Sequence, residues 1–136
     1  MAATFPLEIV TPERTVLSEQ AASVQVPAVD GSLGILAGHA PLLAELGVGE
    51  CRVRLADGSE EQFALAGGFL EVSRERVTVI ADTAERASEI DPTRAEEALA
   101  RAREMLGRLD GTVDAEQANQ AVRRAQNRLR IARGGH

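Results

Sequence analysis

The chain has 136 residues, of which 44% are hydrophobic and 26% charged, and its formal net charge is -6. This composition is typical of a soluble globular protein and excludes a disordered chain, while the length suits one compact domain with an appendage. Three aromatic residues and an acidic balance weigh against nucleic-acid binding, and no apolar stretch reaches the roughly 20 residues of a membrane span.

Apolar residues tend to alternate with polar ones from residue 4 to residue 81, the pattern of strands with one buried face. One such strand places Cys51, Val53 and Leu55 on the same face, and Asp57-Gly58 after it predicts a type I′ hairpin. Gly67-Gly68 predicts a bulge or a close strand crossing. We therefore predict an all-β sandwich or flattened barrel over residues 1–87, in which Cys51 is a small buried hydrophobe.

After Ile90 the apolar period changes to that of helices. Asp91 can cap a helix whose first residue is Pro92, and Asp114 with Gln117 can cap a second. The two predicted apolar lines are Ala95, Ala98, Ala102, Met105 and Leu109, widened by Leu99 and Leu106, and then Ala115, Ala118, Val122, Ala125, Leu129 and Ala132. They predict an antiparallel α-helical hairpin over residues 88–136, whose alanine-rich packing favours a movable arm.

Local patterns leave two other chemistries open. His39 could serve an enzyme if Asp30 or Ser32 converged on it, although a turn residue at a binding surface is the plainer interpretation. With His39 as the single histidine inside the folded region and no cysteine near it, no metal site is expected. The arginines of the second helix could contact DNA or RNA, but the acidic chain and its lack of aromatic residues in that helix argue against it.

Three segments carry a family resemblance: GSLGILAGHAPLL at 31–43, GGFLEV at 67–72 and IDPTRA at 90–95. Together, in this order, they resemble the epsilon subunit of the bacterial and chloroplast F-type ATP synthase. The resemblance implies a noncatalytic central-stalk subunit of a proton-translocating complex, with a β sandwich that clamps the gamma shaft to the c ring. It also implies a hairpin that inhibits ATP hydrolysis.

The resemblance also implies three sets of site residues. A regulatory ATP would be held, without hydrolysis, by Glu85, Asp91, Arg94, Arg101, Arg124 and Arg128. The c ring would be contacted by Asp30, Gly31, Ser32 and His39. The extended second helix would meet acidic residues of the catalytic head through Arg123, Arg124, Arg128, Arg130 and Arg133. Ser32 stands where the family often has an acid, so the contact with the ring is expected either to shift to Asp30 or to be weaker in this chain.

The implied partners are the gamma subunit, the c ring and the alpha/beta catalytic head, with no nucleic acid and no required cofactor or metal. The chain would lie on the cytoplasmic face of a bacterial plasma membrane or the stromal face of a thylakoid, touching the membrane only through the c ring. The alternative is a stand-alone ligand-binding β module with a helical appendage.

Overall fold

A computed structural model describes residues 3–108 and 114–134 of the chain. It divides into two compact units, Met1–Arg86 and Ala87–His136. The described part of the first unit forms six strands: β1 (Phe5–Val10), β2 (Thr15–Ala28), β3 (Gly31–Leu36), β4 (Leu42–Leu55), β5 (Glu60–Val72) and β6 (Val77–Arg86). The described part of the second contains a short 3₁₀ turn (Ala87–Glu89), α1 (Pro92–Leu106) and α2 (Ala115–Ala132).

The strands form one closed sheet. Their order is β1-β6-β5-β4-β2-β3, and β1 also pairs with β2, which closes the sheet on itself. The long β2 makes this possible, because on one edge its first half pairs with β1 and its second half with β3, while its other edge pairs with β4. This architecture, followed by two helices, confirms the predicted sandwich or flattened barrel with a C-terminal helical hairpin.

The core of the β unit depends on a change of strand face. On β5 the inward side chains are Phe63 and Leu65 before the glycine pair, and Leu70 and Val72 after it, so odd positions give way to even ones. Neighbouring strands change face at the same level, β4 between Leu46 and Cys51 and β6 between Ala81 and Ala84. Inward and outward side chains therefore alternate regularly within each half of these strands, but the alternation does not continue through the middle of the strand.

Gly67 and Gly68 make this change possible. Both adopt positive φ, 73° and 116°, which disfavours any residue with a Cβ atom. A Cβ at Gly68 would overlap the carbonyl oxygen of Ile80 and lie 2.8 Å from Cα of Ala81. The pairing register of β5 with β6 is the same on both sides of the pair, so the glycines mark a close strand approach rather than a bulge.

The turn between β4 and β5 differs from the predicted one. A type I′ turn needs positive φ at both central residues, but among the described residues only glycines have positive φ, so Asp57 does not. Gly58 has φ 88° and donates from its backbone nitrogen to the carbonyl of Leu55 at 3.0 Å. The Asp57 carboxylate accepts from the Ser59 nitrogen at 2.8 Å, which stabilises this longer loop.

Each helix begins at an aspartate, as predicted. Asp91 Oδ1 accepts hydrogen bonds from the backbone nitrogens of Thr93 and Arg94, and Asp114 Oδ1 accepts from those of Glu116 and Gln117. These bonds satisfy amide groups that have no partner within the helix.

The apolar lines of the helices are only partly as predicted. Ala95, Leu99 and Ala102 are buried on α1, whereas Met105 and Leu106 are more than a third exposed. On α2, Ala118 and Ala125 are buried and Val122 is half-buried, but Ala115 is exposed. Leu109 lies outside the described residues.

Two further residues of α2 are buried that the predicted line did not contain. They are Asn127, which is 6% exposed, and Ile131, which is fully buried. Helical geometry places both away from the Ala118–Ala125 line, so α2 is covered on two sides. The 3₁₀ turn contacts α2.

Arg86 fixes the end of β6, where the chain leaves the β unit. Its Nη2 donates to the carbonyl of Val16 at 2.9 Å and its Nη1 donates to Glu61 Oε2 at 3.3 Å. Its guanidinium carbon lies 5.3 Å from the centroid of the buried Phe63 ring, within cation–π range. The end of the last strand is therefore held by hydrogen bonds and by a cation–π contact of Arg86.

Candidate functional site

Four of the predicted nucleotide-binding residues are arginines that directly precede a residue of the interface between α1 and α2. Arg94 and Arg101 each precede a residue of the buried α1 line, Ala95 and Ala102. Arg124 likewise precedes Ala125, and Arg128 precedes Leu129, which lines the groove between the helices. Each arginine is thus turned by about 100° from the interface in the same rotational sense.

Because α1 and α2 run antiparallel, an equal turn in the same sense brings all four arginines to one side of the hairpin. We call this surface, made of Arg94, Arg101, Arg124 and Arg128, the first arginine face. Arg94, Arg101 and Arg124 are exposed, and Arg128 is half-buried. Converging guanidinium groups are the usual protein ligands of phosphate oxygens.

Asp91 has a structural task in this arrangement. Its Oδ1 accepts from Thr93 at 2.9 Å and from Arg94 at 3.4 Å, so that oxygen is engaged in capping α1. The side chain is exposed at the start of the helix that carries Arg94 and Arg101. A ligand on the first arginine face would meet a carboxylate whose position is already fixed by the cap.

Glu85 belongs to the other compact unit. It lies on β6, half-buried, where it pairs with Ala64 of β5. Of the six residues predicted to bind ATP, five therefore lie on α1 and α2 or at the cap of α1, whereas Glu85 is part of the β-sheet.

The five arginines predicted to meet the catalytic head do not form a single surface on α2. Arg124 and Arg128 precede residues of the interface and belong to the first arginine face. Arg123, Arg130 and Arg133 follow the interface residues Val122, Leu129 and Ala132, so they lie on the opposite side. Contact between Arg133 and Glu96, which follows Ala95, independently fixes this side of the hairpin.

Sequence reasoning missed Arg103. It follows Ala102 on α1 and joins Gln126, Arg130 and Arg133 around Leu99 and Leu129. We call this surface, with Arg103, Arg130 and Arg133, the second arginine face. The signal that could have found it is the position of each arginine directly after an apolar interface residue.

The predicted c-ring residues occupy two ends of one strand. Asp30 lies in the turn between β2 and β3, Gly31 begins β3 with φ 126°, and Ser32 Oγ accepts from Gln25 Nε2 at 2.7 Å. His39 follows the far end of β3, where its Nδ1 lies 2.7 Å from the carbonyl oxygen of Ala40. Five residue steps at about 3.3 Å separate the ends of β3, on the order of 16 Å.

This separation removes the geometry that an enzyme built on His39 would need. Asp30 and Ser32 are the residues that had to converge on the imidazole, and neither does. Within residues 3–108 and 114–134, no three potential metal-ligating side chains cluster in a way that could hold a metal ion. None of the described helices combines the length and apolar character needed to cross a membrane.

Cys51 is fully buried in the core of the β unit. Burial raises the pKa of its thiol from 9.0 to about 12, and the nearby Glu50 carboxylate adds to this effect. The thiol is therefore neutral and unreactive at ordinary pH, which agrees with the predicted role as a small core residue.

Comparison with known proteins covers both units. The family model of the ATP synthase delta/epsilon chain β-sandwich domain matches residues 4–87, and that of its long α-helix domain matches residues 88–133. The ATP synthase epsilon chain of Herpetosiphon aurantiacus is 48% identical over 127 residues, covering 93% of each chain. That of Symbiobacterium thermophilum is 49% identical over 131 residues, covering 96% of this chain and 94% of the relative.

A solved structure gives the same relationship at the level of the fold. A chain in the cryo-EM structure of the mitochondrial ATP synthase of Euglena gracilis, which contains OSCP, F1 and the c-ring, superposes with a TM-score of 0.80. It is 26% identical, and the match covers 92% of this chain and 79% of that one. Epsilon chains are noncatalytic subunits of the complex. The chain therefore belongs to the epsilon-subunit family of the F-type ATP synthase, as a component of its central stalk.

Proposed function

We propose that this epsilon subunit clamps the gamma shaft to the c ring through its β unit and restrains ATP hydrolysis through its helical hairpin. The hairpin would exist as a folded and an extended population, and a bound ATP would favour the folded one. The extended α2 would then reach acidic residues of the alpha/beta catalytic head and oppose rotation in the hydrolysis direction. The protein would sit on the cytoplasmic face of a bacterial plasma membrane, or on the stromal face of a thylakoid.

The observation that supports nucleotide control is the first arginine face. Two of its arginines come from α1 and two from α2, so they are neighbours only while the helices pack together. A triphosphate that binds guanidinium groups from both helices would bind the folded hairpin better than the extended one. Such differential affinity is what a ligand needs to shift a conformational equilibrium.

The packing of the hairpin supports its role as the movable part. The buried residues of α1 are two alanines and one leucine, and a buried methyl group stabilises by about 0.8 kcal/mol against roughly 1.5 to 3 for a leucine. Met105 and Leu106, near the C-terminal end of α1, are 38% and 37% exposed. We infer from this limited burial on α1 that a modest binding energy from nucleotide would be enough to favour one arm position over the other.

Adjacent residues of α2 provide the test. Arg124 lies on the first arginine face and Arg123 on the opposite side, so Arg124→Gln and Arg123→Gln remove equal charge from the same helix turn. Calorimetric titration of the full chain with ATP should show affinity reduced about tenfold or more by Arg124→Gln, and nearly unchanged by Arg123→Gln. Equal losses in both variants would indicate general attraction to positive charge, and no binding at millimolar ATP would refute nucleotide control.

We place the c-ring contact at the turn between β2 and β3. Asp30, Gly31 and Ser32 are exposed there, beside Val29, which is 56% exposed. His39, which was also predicted to meet the ring, lies at the other end of β3, so we propose that it contributes less to the contact than Asp30. Asp30→Asn should reduce ATP-driven proton pumping in the reconstituted complex, whereas His39→Ala should have little effect.

Inhibition is tested on the reconstituted catalytic head. ATPase activity should be lower with the full chain than with a version that ends at Ala87, and ATP should reduce the difference by holding the hairpin folded. Equal activity with both versions would leave the β unit as a passive coupling element. Co-purification with alpha, beta and gamma subunits provides the control for assembly, since a stand-alone module would not bring them along.

A further inference from the structure

A groove runs along the side of the hairpin that faces away from the first arginine face. Its volume is about 440 Å³, and it is lined by Leu99, Arg103, Gln126, Leu129, Arg130 and Arg133. Leu99 is buried and Leu129 half-buried, so they form an apolar floor between the helices. The proposed nucleotide contacts do not include any of these residues.

The rim of the groove is strongly basic. Arg103 stands on the α1 side, and Arg130 and Arg133 stand on the α2 side. Arg130 Nη2 donates to Asn127 Oδ1 at 2.8 Å, while Arg133 donates to the carboxylate of Glu96. The chain therefore already places one carboxylate on a guanidinium at this rim, and an incoming carboxylate would share Arg133 with Glu96.

The shape of the groove favours an elongated occupant. Glu96 marks the level of Arg133 on α1, and Arg103 lies seven positions after Glu96 on the same helix. At about 1.5 Å per residue, the two ends of the basic rim lie on the order of 10 Å apart along the helix axis. In an extended peptide, residues four positions apart lie on the same face and about 13 Å apart, which long arginine side chains can bracket.

We propose that this groove binds an acidic peptide segment of a partner protein, with an aliphatic side chain on Leu99 and Leu129 and carboxylates on the arginines at either end. The alternation acid, apolar, acid on one face of an extended segment matches the rim and the floor together.

Such a peptide would stabilise the folded hairpin. The lining of the groove comes from both helices, so the site is lost when α1 and α2 separate. The interaction is thus distinct from contact between an extended α2 and the catalytic head, and it has the opposite effect on the arm. It does not compete with ATP for residues, since it uses the opposite side of the hairpin, and each ligand should strengthen binding of the other because both favour the folded arm.

The test is an NMR titration of the isotope-labelled full chain with a blocked pentapeptide, Glu-Ala-Leu-Ala-Glu. We expect weak binding, with a dissociation constant of about 1 mM, and shifts of amide signals at Leu99, Arg103 and the α2 residues of the groove. Arg103→Gln should weaken binding about tenfold, while Arg101→Gln on the first arginine face should leave it unchanged. Both arginines are exposed on the same helix, so the two variants are matched in charge and in risk to the fold.

Variants of the peptide separate the contribution of its carboxylates from that of its apolar side chain. Gln-Ala-Leu-Ala-Gln tests the carboxylates and Glu-Ala-Ser-Ala-Glu tests the apolar floor, and each should bind more weakly than the parent peptide. Equal binding by Arg103→Gln and the unchanged chain would overturn the proposal, as would shifts confined to the first arginine face. Displacement of the peptide by an equal concentration of inorganic phosphate would refute a preference for peptides and would show that the groove is a general anion site.

Discussion

Arg133, just after the end of α2, donates a hydrogen bond from Nη2 to Oε1 of Glu96 on the first turns of α1, 37 positions earlier in the chain. This contact shows that the helices run antiparallel and joins them at the open end of the hairpin. It also identifies which arginines share a side of the hairpin, on which both proposed ligand sites depend.

The first prediction concerns the strength of this ion pair. The side chains of Arg133 and Glu96 are 58% and 51% exposed, so water and salt screen their attraction. A double-mutant cycle with Arg133→Gln and Glu96→Gln should give a coupling free energy below about 1 kcal/mol in chemical denaturation of the full chain. A coupling of several kcal/mol would mean that the pair locks the hairpin and would contradict a movable arm.

The second prediction separates two roles of Asp91. Replacement with alanine removes the cap of α1 and should lower the stability of the hairpin by about 1 kcal/mol, whereas asparagine caps nearly as well as aspartate. If the carboxylate also contacts ATP, Asp91→Asn should keep the amide-exchange protection of α1 and still reduce ATP affinity in calorimetry. Unchanged ATP affinity in Asp91→Asn would restrict the residue to capping.

The third prediction is an alkaline dependence of stability that comes from one residue. The chain contains no lysine and no tyrosine, so between about pH 9 and pH 11 Cys51 is the main side chain to titrate. Its folded pKa is about 12 against 9.0 for an exposed thiol, so above pH 9 the unfolded chain releases a proton that the folded chain keeps. The free energy of unfolding should therefore fall by about 1.4 kcal/mol per pH unit in this range.

Denaturant titrations at pH 8, 9, 10 and 11 measure this slope, and Cys51→Ala supplies the control. The variant should be less stable at every pH because it loses core contacts, but its alkaline slope should be nearly flat. A slope that persists in Cys51→Ala would mean that another group titrates with folding.

The fourth prediction concerns Gly68. Alanine there would clash with the backbone of Ile80 and Ala81 and would need an unfavourable positive φ, so Gly68→Ala should destabilise the β unit by at least about 3 kcal/mol. Gly34→Ala is the matched control, since Gly34 lacks positive φ and has no atom within 4 Å of the place that an alanine methyl group would occupy. Thermal unfolding of both variants measures the difference in stability. Equal melting temperatures would contradict the close approach of β5 and β6 at Gly68.

Much of the fold could be predicted because its signals are local. The caps at Asp91 and Asp114 depend on neighbouring residues, and the alternation around Cys51 depends on a single strand. The change of face at Gly67 and Gly68 could not be read as such, because it needs three strands to turn at one level. Asp57-Gly58 predicts the wrong type of turn, because the geometry there depends on the length of the whole loop between β4 and β5.

The candidate site was predictable in part for the same reason. Residue spacing was enough to find that Arg124 and Arg128 share a helix side, but Arg103 and the second arginine face required knowledge of which helix edges adjoin. Burial of Asn127 and Ile131 does not follow from the sequence, because the pattern of α2 predicts a single apolar line and the helix is covered on two sides. The sequence likewise does not show that β3 lies between Asp30 and His39, which the structure places at opposite ends of that strand.

Because Asp91 and Asp114 each start their own helix, neither helix needs the other in order to begin. The arm is therefore modular, and α2 from a relative could be exchanged into this chain at Asp114 without redesign of the preceding segment. Chimeras of this kind would replace the α2 half of both arginine faces and keep the α1 half, and so would separate what each helix contributes to the two proposed ligand sites.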